Sequence, residues 1–213
     1  MKLVITRPQH DITTRYISSW AKNIIIFAKK KGLEIIDLVG SKANKKEFES
    51  RIKKLLPDLI FLNGHGSDDS ITGHDNEILV KVDENHNLLA KKTTYALSCD
   101  SGKILGPKVA SSKATAYIGY KDEFLFVLNG KYLSRPLEDP LAKPFMEASN
   151  QVMISLLKEH TSQEASERSK QNFFRNYRKF VSSDSNVDSL QVAQFLWWNM
   201  RNQVCLGDVD AKI

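Results

Sequence analysis

Short apolar runs alternate with stretches of helical period through the first 120 residues, and this alternation leaves few folds open. Leu3-Val4-Ile5, Glu34-Ile35-Ile36-Asp37-Leu38-Val39, Leu59-Ile60-Phe61-Leu62, Thr94-Tyr95-Ala96-Leu97 and Ala116-Tyr117-Ile118 read as strands. Between the first two, Tyr16, Ile17, Trp20, Ile24 and Phe27 recur at helical spacing, with Asp11 as N-cap and Gly32 as stop. Phe48, Ile52, Leu55 and Leu56 predict a second amphipathic helix ended by Pro57, and Ile104, Leu105 and Val109 a third. A strand apolar throughout is covered on both faces. Strand–helix–strand repetition winds a parallel sheet by right-handed crossovers. The expected fold is α/β and doubly wound, a mostly parallel sheet flanked by helices.

Residues 67 to 92 are too many for a plain crossover. Ile71-Thr72 and Ile78-Leu79-Val80 around a polar centre predict a small β-hairpin followed by a short helix. Beyond Gly130 the pattern turns helical. Phe145, Ser149, Val152, Met153 and Leu156 form one stripe, Thr161 with Glu164 a capping box, and Leu190, Ala193, Trp197 and Met200 a last stripe. No Pro/Gly/Ser-rich linker divides the 213 residues, so one domain is expected over 1–213, with a catalytic α/β core at 1–130 and a mainly helical portion at 131–213.

The net charge of +6 suggests nucleic acid until it is located. Residues 1–60 hold 13 Lys/Arg against 6 Asp/Glu, and the remainder 18 against 19. Much of the excess sits on predicted helices with Glu47/Arg51 and Glu49/Lys53 at i,i+4 spacing, which reads as a solvated face rather than a nucleic-acid footprint. No run is long enough for a signal peptide core or a membrane span, so a cytoplasmic protein is expected. The two cysteines, Cys99 and Cys205, make neither a disulfide framework nor a metal-ligand spacing, and no metal or cofactor is expected.

Parallel sheets place their chemistry in loops beyond the carboxyl ends of strands. Two strand ends here carry chemistry. The third strand runs into Asn63-Gly64-His65-Gly66-Ser67, where glycines let the backbone turn sharply and keep the imidazole clear. The fourth runs into Ser98-Cys99-Asp100-Ser101-Gly102, a thiol just before a predicted helix. If these strands are neighbours, His65 and Cys99 open on one edge of the sheet. An imidazole beside a thiol supports acyl transfer: it raises the thiolate fraction and protonates the departing amine. The backbone N–H groups of Gly66 and Cys99 are the candidate oxyanion donors. Taken singly, either residue reads as packing; the pair at consecutive strand ends reads as a dyad. His10, His74, His86 and His160 lack glycine framing, and Cys205 reads as packing beside Trp197 and Trp198.

Phe61-Leu62-Asn63-Gly64-His65-Gly66-Ser67 and Ala96-Leu97-Ser98-Cys99-Asp100-Ser101-Gly102 resemble the two catalytic blocks of the caspase-like cysteine peptidases, the group of caspases, gingipains, clostripain, separase and CHAT domains. Ala116-Tyr117-Ile118-Gly119-Tyr120, the Asp139–Met146 helix, Thr161–Ala165 and Leu206-Gly207-Asp208 look CHAT-like. The resemblance implies a caspase-like fold, Cys99 as nucleophile, His65 as general acid/base and Gly66 as oxyanion donor. It also implies a protein substrate, control by a regulatory or activating partner, and a role such as a microbial stress or phage-defence effector. The caspase Gln-Ala-Cys-x-Gly signature is absent, and Leu97 replaces the metacaspase acid. The counterpart of separase's pocket carboxylate is Asp122; buried there, it would select Arg or Lys at P1. The alternatives are a catalytically silent caspase fold acting as a binding module, and an amidotransferase-like hydrolase. The second is disfavoured because Ser98 and Asp100 flank the thiol where its elbow needs glycines, and because His65 precedes Cys99.

Overall fold

The computed structural model describes residues 1–113, 115–182 and 187–213. A six-stranded sheet runs β2-β1-β3-β6-β7-β8, built from β1 (Lys2–Arg7), β2 (Glu34–Val39), β3 (Leu59–Asn63), β6 (Thr93–Leu97), β7 (Ala116–Tyr120) and β8 (Gln203–Gly207). All its pairings are parallel except that of β7 with β8. A separate hairpin, β4 (Ser70–Thr72) with β5 (Ile78–Lys81), fills the long β3–β6 connection, and a 3₁₀ turn at His86–Leu89 follows it. The expected strands, hairpin and short helix are therefore all present.

The helices cover both faces. On one side α1 (Ile12–Lys30), α4 (Lys143–Leu156), α5 (Ser162–Ser182) and α6 (Val187–Asn202) pack over Leu3, Ile5, Phe61, Tyr95 and Ile118. On the other, α2 (Lys45–Leu55) and α3 (Leu105–Ala110) cover Val4, Ile60, Leu62, Ala96 and Tyr117. Adjacent residues of one strand thus feed opposite cores, which is why β3, β6 and β7 are buried at every position. None of the described helices is long and apolar enough to cross a membrane.

Local signals act as their chemistry requires. Asp11 caps α1, its Oδ1 accepting the Thr14 N–H at 2.7 Å while the Thr14 hydroxyl accepts the Asp11 N–H at 3.1 Å. Thr161 and Glu164 exchange the expected reciprocal bonds, 3.1 and 2.9 Å. Two expectations are corrected, and one strand is added. Leu56 is not part of the buried face of α2; it ends the helix in a left-handed conformation and is 70% exposed. The buried stripe of α6 is Val192, Ala193, Leu196 and Asn199, while Leu190 and Trp197 face outward. Residues 203–207 form an edge strand, β8, which places Cys205 opposite Ile118.

Candidate active site

The carboxyl ends of β1, β3, β6 and β7 open on one edge of the sheet, and the loops that leave them build the site. Two devices hold the first of these ends. Arg7 is 5% exposed and grips Asp37 with both Nε (2.8 Å) and Nη2 (2.7 Å) while Nη1 donates to the Ser18 carbonyl, tying β1 to β2 and α1. Thr6 and Asn63 close the gap between β1 and β3. The Asn63 N–H donates to Thr6 Oγ1 (2.9 Å), the Thr6 hydroxyl to the Asn63 carbonyl (3.1 Å), and Asn63 Nδ2 to the Thr6 carbonyl (2.8 Å).

The loop after β3 is compressed. A Cβ on Gly64 would stand 2.0 Å from the Thr72 carbonyl oxygen, and one on Gly66 would stand 2.1 Å from Ser98 Oγ and 2.4 Å from the Cys99 carbonyl oxygen. Both glycines are required by close approach rather than by a turn alone. The hairpin holds the loop from the other side, with the Thr72 N–H donating to the His65 carbonyl at 2.9 Å and the Ser67 N–H to the Ser70 carbonyl at 2.9 Å. Those two bonds flank the Gly66–Ile71 bridge, and such a pair directs the Gly66 N–H away from Ile71.

β3 and β6 are neighbours in the register Asn63↔Leu97, so His65 and Cys99 occupy equivalent positions two residues beyond the last paired residues. Gly66 packs directly on the Cys99 backbone. His65 is half-buried, and its Nε2 donates to Asp11 Oδ2 at 2.6 Å. Burial pulls the Asp11 carboxyl upward, but the Thr14 N–H, His65 and the Thr14 hydroxyl outweigh it and hold the group at about 2. In a neutral imidazole that donates Nε2–H to this carboxylate, the lone pair lies on Nδ1.

Cys99 is also half-buried, and its Sγ accepts the Phe124 N–H at 3.4 Å. Burial pushes the thiol pKa up, the Phe124 N–H opposes this, and the carboxylates of Asp100 and Glu123 add to the rise. The expected helix start beside the thiol is not there. Asp100 takes a left-handed conformation (φ 58°), Lys103 bonds it at 2.7 Å, and α3 begins only at Leu105. Burial and the neighbouring carboxylates thus favour the thiol over the thiolate, with no helix start beside it to offset them.

Asp122 lies in the loop after β7, as its position in sequence implies. Its carbonyl accepts the Asp100 N–H at 3.2 Å, and its Oδ1 accepts the Glu123 N–H at 2.9 Å. The carboxylate is only partly buried, and Glu123 beside it is exposed. The loop continues to Leu125, which exchanges bonds with the Asn199 side chain (3.0 and 2.6 Å), and on to the buried Asp139. Cys205 lies on the opposite edge of β7 from β6, and its thiol is pushed up to about 11, by burial first.

The residues passed over in sequence are Asp11, His10 and His74. His10 stands edge-on to both His65 and His74, with ring centres 5.9 and 5.4 Å apart. Two triplets, His10–Asp11–His65 and His10–His74–Asp75, each bring their ligand atoms within 4.8 Å and have donors suited to a metal. The rule that directs attention to strand ends applies equally to β1, whose end runs into Pro8-Gln9-His10-Asp11. That was the available signal.

The fold is shared with solved cysteine proteinases. Gingipain R (RgpB), described as Arg-specific, superposes with a TM-score of 0.59 over all of this chain at 12% identity. The complex of the Porphyromonas gingivalis RgpB pro- and mature domains gives 0.58 over 99% at 10%. The chain spans 47% of each of those chains, and at such identity the likeness is one of caspase-like fold. No family model and no curated protein matches the sequence.

Proposed function

We propose that this chain is a cysteine endopeptidase that cleaves protein substrates through a thioester acyl-enzyme. The observation that carries the reading is the β3–β6 register, which sets His65 and Cys99 at equivalent strand ends with Gly66 packed on the Cys99 backbone. The caspase-like fold of the gingipain neighbours agrees with it.

In this reading His65 Nδ1 takes the Cys99 proton as the sulfur attacks the scissile carbonyl carbon. The imidazolium so formed is stabilised by Asp11 across the 2.6 Å bond. The oxyanion is received by the N–H groups of Gly66 and Cys99. As the tetrahedral intermediate collapses, the C–N bond breaks and Nδ1–H protonates the leaving amine. Water, deprotonated by the same nitrogen, then attacks the thioester and restores the thiol. A thiol with a raised pKa suits this order, because it leaves ionisation to the general base.

The negative field around the thiol supports a basic P1 residue. Asp100 and Glu123 act on Cys99 electrostatically, and Asp122 lies between Glu123 and the backbone contact with Asp100. An Arg or Lys side chain would pair with Asp122 or Glu123, Asp100 being already held by Lys103, in keeping with the Arg specificity of the gingipain neighbour. A CHAT-like affinity and a role in microbial defence rest on the sequence blocks alone.

The test is cleavage of a fluorogenic panel with Arg, Lys, Asp or Leu at P1, by wild type and Cys99→Ala. Turnover of the basic peptides that vanishes in Cys99→Ala is expected. Turnover unaffected by the substitution would end the proposal. The burial of the Cys99 thiol favours the second reading, a silent binding module, and persistent silence of the whole panel together with resistance of Cys99 to peptidyl electrophiles would select it.

A further inference from the structure

His10 is the least explained side chain near the site. Its side chain is 11% exposed, wedged edge-on between His65 and His74, and its Nδ1 is buried with no hydrogen-bond partner among the described residues. Its Nε2 faces two oxygens, Asp11 Oδ2 at 3.4 Å and Asn76 Oδ1 at 3.2 Å. Both groups facing Nε2 are acceptors, so Nε2 either carries a proton toward them or gives its lone pair to a cation shared with Asp11.

The same oxygen, Asp11 Oδ2, stands 2.6 Å from His65 Nε2. Tetrahedral zinc, with ligands at about 2.0–2.1 Å, spaces its donors roughly 3.3 Å apart. One edge of that tetrahedron, 3.4 Å, is in place, the 2.6 Å hydrogen bond would open by roughly 0.7 Å as the ion replaces its proton, and the third is bounded by 4.8 Å. Two imidazoles and one carboxylate are zinc donors, whereas calcium requires six to eight oxygens. The neighbouring triplet is a poorer host, because Asp75 is 81% exposed and His74 Nδ1 already accepts the Gln9 N–H at 3.2 Å.

We infer that His10, Asp11 and His65 form a Zn²⁺ site and that the bound ion arrests proteolysis. The inference rests on the peptidase reading only for its second half. Zinc on His65 Nε2 displaces the proton to Nδ1, since a neutral imidazole keeps one proton. Nδ1 then has no lone pair to receive the Cys99 proton, and Asp11 is withdrawn from the imidazole it orients.

Binding is read by Co²⁺ titration, from the visible absorption of the four-coordinate ion, with Zn²⁺ in competition. The proteins are wild type, Cys99→Ala, His10→Gln and His74→Gln, each shown to melt as a folded protein. One ion is expected in wild type, equally in Cys99→Ala and His74→Gln, and bound about tenfold or more weakly in His10→Gln. Calcium should not compete. In wild type, Zn²⁺ should stop peptide cleavage stoichiometrically and a chelator should restore it. Loss of binding in Cys99→Ala would put the ion on the thiol and overturn the site, as would undiminished binding in folded His10→Gln. Loss in His74→Gln would move the ion to the other triplet and overturn the arrest. A wild type that binds one cobalt ion but cleaves nothing would count against the peptidase reading and leave the metal site standing.

Discussion

Asp11 and His65 are 54 residues apart in the chain and 2.6 Å apart in space, and the carboxylate that joins them is also the N-cap of α1. One oxygen accepts the Thr14 N–H and the other accepts His65 Nε2–H. The helix thereby fixes the carboxylate that fixes the imidazole. Asp11→Asn separates the two duties, because asparagine caps a helix about as well as aspartate but carries no charge for the imidazolium. We expect kcat on the best peptide to fall by about 100-fold or more, with KM little changed and the melting temperature nearly that of wild type. Steady-state kinetics beside a thermal melt check this; a loss of stability without a fall in kcat would confine Asp11 to capping.

Gly66→Ala should disable the site through the backbone. The new Cβ would fall 2.4 Å from the Cys99 carbonyl oxygen and 2.1 Å from Ser98 Oγ. The serine can turn away, but the carbonyl cannot move without displacing Cys99. A stability loss of about 1–3 kcal/mol is expected, with a loss of turnover larger than the destabilisation explains. Urea unfolding and kinetics on the same preparation measure both, and wild-type turnover would remove Gly66 from the oxyanion site.

The thiol should titrate late. Burial raises the folded-state pKa of Cys99, so the unfolded chain ionises first as pH rises. The neutral folded thiol contributes stability that is present below the unfolded value and lost as pH climbs through the folded one. In a Cys205→Ser background, alkylation of Cys99 by iodoacetamide should be slow at neutral pH and accelerate above the range of a free thiol. A midpoint below that range would mean a resting thiolate–imidazolium pair instead.

Asp122→Asn should narrow the preference for Arg over Leu at P1 by about tenfold, mostly in KM. Glu123→Gln supplies the comparison, since of the two carboxylates Glu123 is the one that acts on Cys99 and is the more exposed. A ratio unchanged by either substitution would detach the acidic loop from specificity.

Asp139 is fully buried and uses both oxygens, Oδ2 for the Tyr16 hydroxyl (2.9 Å) and the Asn129 N–H (2.8 Å), Oδ1 for the N–H groups of Leu141 and Ala142. The Tyr16 pKa is pushed up to about 12, by burial first and then by this carboxylate. Asp139→Asn must turn an amide NH₂ toward a donor in either orientation. Unfolding free energy should drop by about 2–4 kcal/mol in urea titrations.

Much of the fold was legible because periodicity is a local property. Leu59-Ile60-Phe61-Leu62 is apolar on both faces wherever it is placed, so β3 could be read as a covered strand and His65 as a residue at its end. The Asp11 and Thr161 caps were legible for the same reason, since each acts within three residues. β8 was not. Gln203–Gly207 follows α6 without a turn signal and becomes a strand only because β7 offers it an antiparallel edge. The face of α6 was misjudged by about one position because Trp197, the largest apolar side chain in its stripe, lies outward while Asn199 turns inward to bond Leu125.

The sequence by itself determined the α/β alternation, the two glycine-framed or strand-end positions of His65 and Cys99, and the N-cap role of Asp11. Only the tertiary structure decided that β1 lies beside β3, and with it that Asp11 meets His65 and that His10 stands between His65 and His74. Strand order in a parallel sheet is set by how helices pack across its faces, a contest among distant apolar surfaces that no local spacing records. A carboxylate chosen by one helix end was thereby delivered to an imidazole that its own sequence neighbourhood does not mention.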